Sequence, residues 1–120
     1  MATPNIVSVA TINGSVTAGA IVTGGTVVVD VSAEYIYKIN NIIIANIDGT
    51  NSATVTVSIS TDNGSTYHAI ASTVAVPADA TLMLIDKNTS FYLDETDQLK
   101  LTASANGDLT YLVSFEMITD

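Results

Sequence analysis

Cysteine is absent from this sequence, which removes a disulfide framework, a thiol nucleophile and a thiolate-ligated metal together. Arginine is absent too, and the lysines are three: Lys38, Lys87 and Lys100. Gripping a phosphate backbone takes clustered cations that release counterions. Three scattered lysines against 12 acidic residues, a net charge of −9, exclude nucleic acid as a direct partner. The same imbalance argues against adsorption to an anionic membrane. No stretch approaches the ~18 consecutive apolar residues of a membrane span. The opening "MATPNIVSVATINGSVTAGAIV" has no basic segment followed by a continuous apolar run, so no export signal is expected. His68 is the single histidine, which rules out a multi-histidine metal site, and no G-x-S-x-G nucleophile turn accompanies it. "TGGTVVV" lacks the GK[ST] of a phosphate loop and leads into a strand. The expectation is a chain without catalytic residues, cofactor or metal.

What the sequence does contain is alternation. Hydrophobic residues make up 48% of its 120 positions and aromatics only 6%, so the core must come from small, mostly β-branched side chains. Charged residues are 12%, about half the usual ~25%, which leaves a surface of Thr, Ser, Asn and Gly suited to an extracellular or virion protein. In "ATVTVSIST" Ala53, Val55, Val57 and Ile59 point one way and Thr54, Thr56, Ser58 and Ser60 the other, as in a half-buried antiparallel strand. "QLKLTAS" places Leu99, Leu101 and Ala103 inward. "LTYLVSFEMIT" does so with Tyr111, Val113, Phe115 and Met117. Further strands are expected near 6–12, 15–22, 26–32, 35–39, 41–48, 66–71, 80–86 and 90–94. Between them lie the turn signals "NG" at 13–14, "GG" at 24–25, "DGTN" at 48–51, "DNG" at 62–64, "VPAD" at 76–79, "DET" at 94–96 and "NGD" at 106–108. Many short strands and no convincing amphipathic helix predict an all-β chain: an antiparallel β-sandwich of jelly-roll or Greek-key type, with an up-and-down barrel as the lesser alternative. Composition divides it into an N-terminal extended arm or pair of edge strands over 1–33 and a sandwich domain over 34–120.

Residues 60–67, "STDNGSTY", resemble the Asp-box, a hairpin motif of sialidase-type propellers and of many non-catalytic β proteins. Asp and Asn bond their own backbone in tight turns and Gly supplies positive φ, so a turn explains every residue here. A Ca²⁺ site would need further spaced carboxylates and a bidentate Glu. Asp94, Glu95 and Asp97 in "LDETDQL" gather three carboxylates, as a cation site or a glycosidase pair would, but acidic turns at strand ends are commonplace. Excess apolar surface is the stronger signal. "NNIIIANID" and "TLMLID" carry aliphatic groups on both faces, and Leu112 and Ile118 lie opposite the Tyr111–Met117 row. Ile42, Ile44, Leu82, Leu84, Leu112 and Ile118 are therefore expected to be core or interface positions, covered by the N-terminal arm, by a long loop or by another subunit.

From "YIYKINNIIIAN" through "ATVTVSI", "DNGSTY", "VPADATLMLID" and "LDETDQLKLTA" to "LTYLVSFEMI", about 85 residues resemble a recurrent small β domain of tailed-bacteriophage virion proteins, including those of cyanobacterial phages. "KINN" stands where that family carries a "VPAGK" turn. The resemblance implies a non-enzymatic structural component of the virion: a capsid decoration (cement) protein, or a head, neck, fibre or tail protein. Its implied partners are copies of itself, as a trimer, and other virion proteins such as the major capsid protein. A carbohydrate-binding or receptor-binding tip is the alternative, with Tyr35, Tyr37, Tyr67, Tyr92 and Tyr111 as possible sugar platforms.

Overall fold

A computed structural model describes residues 10–119, which form nine strands and no helix. They are β1 (Thr11–Ala20), β2 (Thr26–Asp30), β3 (Tyr35–Asn46), β4 (Ala53–Ser60), β5 (His68–Val76), β6 (Thr81–Ile85), β7 (Phe91–Leu93), β8 (Gln98–Ala103) and β9 (Leu109–Thr119). One sheet runs β1-β9-β3-β6, with β7 also on β3; the other runs β2-β8-β4-β5. Every pairing is antiparallel. With β6 and β7 taken as one interrupted strand, the partners nest: β4 with β5, β3 with β6 and β7, β2 with β8, β1 with β9. A chain folded in half and rolled into two layers has this wiring, that of a jelly roll.

Alternation builds the core between the layers. Val55, Val57, Leu99 and Leu101 from one sheet meet Ile39, Ile42, Ile44 and Val113 from the other, all wholly buried. Ile21, Val29 and Val31 join the same cluster, so the segment from 10 to 33, whose β1 and β2 hold outermost positions in the two sheets, shares its core with the rest. Residues 1–9 of the expected arm lie outside the described residues.

Two expected breaks are absent. Asn13-Gly14 sits inside β1, opposite Met117 and Glu116, because neither residue takes the positive φ of a hairpin turn. "KINN" is likewise no turn: Ile39 pairs with Phe115 and Asn41 with Ser114, leaving Asn40 as an extra residue in an otherwise continuous β3. This bulge resets the alternation, so that Tyr37 and Ile39 face inward before it and Ile42 and Ile44 after it. The strand on β3's other side breaks at the same level. β7 covers Tyr37–Ile39, β6 covers Ile42–Ala45, and an Asp86–Thr89 turn lies between them.

Candidate assembly surface

The two outer faces differ in kind. On the β2-β8-β4-β5 sheet, register places Thr56 beside Thr102, Ser58 beside Lys100 and Ser60 beside Gln98, and Thr54 continues the polar centre, while Val27 and Ile70 are exposed on the outermost strands β2 and β5. On the other sheet, Ala18, Leu112, Ile43 and Met83 form one row across four strands, and Ile12, Ile118 and Ile36 another across three. Between these rows lie Val16 with Ser114 and Asn41, then Gly14, Glu116, Lys38 and Tyr92. Ile12, Val16, Met83, Tyr92 and Leu112 are 56, 60, 59, 51 and 38% exposed. A shallow groove of about 470 Å³ opens here, lined by Ala18, Gly19, Ile43, Ala45, Thr110, Tyr111 and Leu112.

Of the six positions singled out from the sequence, Ile42 and Ile44 lie wholly inside the core, and Leu82 and Leu84 pack against it half-buried. Leu112 and Ile118 share the outer face, Leu112 exposed and Ile118 at 4% exposure between Ile12 and Ile36. The exposed set also includes Ile12, Val16 and Met83. Met83's signal, an unbroken apolar run, was present in "TLMLID". Ile12 and Val16 fall in a stretch whose Ser, Thr and Gly content concealed a regular strand.

The Asp-box-like segment is a hairpin between β4 and β5. Ser60, wholly buried, donates to Asp62 Oδ1 at 2.7 Å and accepts the amide of Gly64 at 2.8 Å, while Thr66 donates its amide to Asp62 Oδ1 at 2.8 Å. These bonds, the Ser60 hydroxyl first and the Thr66 amide second, hold the Asp62 carboxyl below the ordinary carboxylate range. Gly64 has φ 86°, and a Cβ there would fall 2.9 Å from Gln98 Oε1. Tyr67 donates its hydroxyl to that same oxygen, and Lys100 Nζ stands 4.8 Å from the Tyr67 ring centre. The Ser60 hydroxyl and Asp62 Oδ1 are thus engaged in the turn itself.

The acidic turn behaves similarly. Asp97 accepts the amide of Asp94, Asp94 that of Glu95, and Glu95 that of Glu34, so each carboxylate caps backbone. Burial, with the neighbouring Asp94 charge, raises the Asp97 carboxyl. Among the described residues no three metal-ligating side chains converge. A pair that sequence reading missed stands at the other end: Asp108 is pushed up by burial and by the adjacent Asp48, while Asp48 is held down chiefly by the Thr50 amide. The turn signals "DGTN" and "NGD" mark these residues, but only the fold brings the two turns together. His68 is exposed at the start of β5, opposite Ile59.

No family model and no curated protein matches the sequence. Among solved structures, the fold is similar to a protein of the Bacillus endospore appendages, a family of disulfide-linked pili. The TM-score is 0.55 at 13% identity, over 92% of this chain and 88% of that one. Two structures of a pentameric capsid protein isolated from metagenomic phage sequences give TM-scores of 0.39 and 0.38 at 12% identity. They match over 84% of this chain, which spans 63% and 59% of theirs. At 13% identity the likeness to the appendage protein is one of fold.

Proposed function

We propose that this chain is a non-enzymatic structural protein of a bacteriophage virion, and that it decorates the assembled capsid shell. The observation that carries the reading is the contrast between one sheet whose central outer positions are polar and another whose outer face carries apolar rows across three and four strands. Fully burying an exposed side chain such as Leu or Met is worth about 1.5–3 kcal/mol, so a partner that covers Leu112, Met83, Val16 and Ile12, which are 38–60% exposed, gains about half of that increment at each. The partners in this reading are copies of the chain and the major capsid protein. A protein that binds only the assembled shell stabilises that shell by mass action. The net charge of −9 keeps a dense array of copies soluble. The resemblance of the stretch from Tyr35 onward to tailed-phage virion domains, those of cyanobacterial phages among them, supports the same reading.

Mass spectrometry of purified particles, with immunogold labelling of intact ones, tests it. The chain is expected on the shell in many copies; a chain found only in the lysate and absent from particles overturns the proposal. Carbohydrate recognition at a fibre or neck position is the second reading, favoured by the exposed ring of Tyr92 alone. Tyr37 is buried and Tyr67 lies under Lys100. Specific binding on a glycan array, lost in Tyr92→Ala, would select it.

A further inference from the structure

The four outer strand positions of the two sheets are not alike. β2 has five residues, a register shift between Val27 and Val29, and a terminal Asp30. β5 carries two irregularities against β4 and a positive φ at Thr73. β6 and β7, five and three residues long, are split by the Asp86–Ser90 segment with its Lys87. Short strands, bulges and charges are the usual means of preventing sheets from pairing edge to edge. β1 has none of them. Its ten residues keep unbroken register on β9 from Thr11–Thr119 to Ala20–Thr110, with no proline and no charge, and among the described residues its other side pairs with nothing.

Charge singles out the same strand. The first charged side chain in the sequence is Asp30, so residues 1–29 carry none, and the whole imbalance of three lysines against 12 acids, 3 − 12 = −9, lies beyond them. The acidic side chains, which carry that imbalance, all lie at or beyond Asp30. A contact between two copies of β1 sets no charged side chain of one strand against the other.

Resting on the assembly reading above, we infer that β1 of one copy pairs antiparallel with β1 of a second copy, merging two five-stranded sheets into one continuous sheet. A head-to-tail contact would need a second competent edge, and the remaining three are guarded. The contact is therefore isologous and closes at two rather than at the expected three. It also joins the apolar outer faces, since Ile12, Val16, Ala18 and Ala20 stand along the seam.

Native mass spectrometry of the full chain, from micromolar to submillimolar concentration, tests the pairing together with two variants. Val16→Lys places a cation on the seam. Leu112→Lys alters the outer face one strand away. Wild type and Leu112→Lys are expected as dimers of twice 12.4 kDa, and Val16→Lys as a monomer. Hydrogen exchange should show alternate amides of 11–20 protected in the dimer and losing protection on dilution. A monomeric wild type, or an oligomer indifferent to Val16→Lys, overturns the pairing. The particle measurement stands apart: a chain found on virions whose oligomer ignores Val16→Lys leaves the assembly reading intact while refuting this edge.

Discussion

Ser60 is a small polar residue with no exposed surface, and its hydroxyl both donates and accepts within a single turn. Ser60→Ala takes the acceptor from the half-buried Gly64 amide, a loss of about 0.5–1.5 kcal/mol. Urea unfolding should report it as a lower midpoint at unchanged slope. The turn was legible from "STDNG", since each residue in it is explained by local backbone bonding. Asn46 was not: nothing in "IIIANID" says that its side chain would be buried, donating to the carbonyls of Val76 and Asn51 at 2.9 Å each while accepting the Asp48 amide. A partner 30 residues away has no local signature.

The acids follow two rules of opposite sign. Asp48 and Asp62 are depressed, so their stabilisation is present above the ordinary carboxylate pKa and is lost as pH falls through their lowered values. Asp97 and Asp108 are raised, so theirs is present at acid pH and is lost as pH climbs through the raised values. Asp108→Asn should therefore stabilise the protein at neutral pH, with the difference from wild type shrinking as pH falls through the raised value toward the ordinary carboxylate range. Thermal melts across that range check it. A difference independent of pH would contradict the assignment to ionisation beside Asp48.

At the scale of elements, β3 shows how one residue decides the fate of its neighbours. Strict alternation from Tyr37 and Ile39 would turn Ile43 inward and Ile42 and Ile44 outward; the extra Asn40 reverses this. Ile44→Ala should cost about 2–5 kcal/mol as a core cavity, whereas Leu112→Ser, on the outer face of β9, should stay within about 0.5 kcal/mol. Chemical denaturation of both variants checks the pair. Deleting Asn40 restores plain alternation, turns the two buried isoleucines to solvent and should abolish cooperative unfolding. Strand types were readable along most of the chain because the two-residue period of β4, β8 and β9 is clean. A bulge is not readable, because two adjacent asparagines look equally like a turn. β1 was misdivided for the converse reason: Asn-Gly is a hairpin signal only where the chain reverses, and here β9 holds it extended.

The described residues measure 49 × 27 × 20 Å, with two layers stacked so that the polar centre of one outer face lies opposite the apolar rows of the other. Sequence alone indicated more apolar surface than a two-layer monomer should hold, but not where the surplus would emerge. Nested pairing decides that. It places β1, β9, β3 and β6 side by side, so that Ala18, Leu112, Ile43 and Met83, from four distant parts of the chain, form one row. Binding of purified protein to particles stripped of it tests this face most directly, comparing wild type with Leu112→Glu/Met83→Glu and with Thr56→Glu on the opposite sheet. Wild type and Thr56→Glu should restore full occupancy, and the double variant should bind at least about tenfold more weakly, a loss of about 1.4 kcal/mol or more. Equal binding by all three, or a loss confined to Thr56→Glu, would contradict the account.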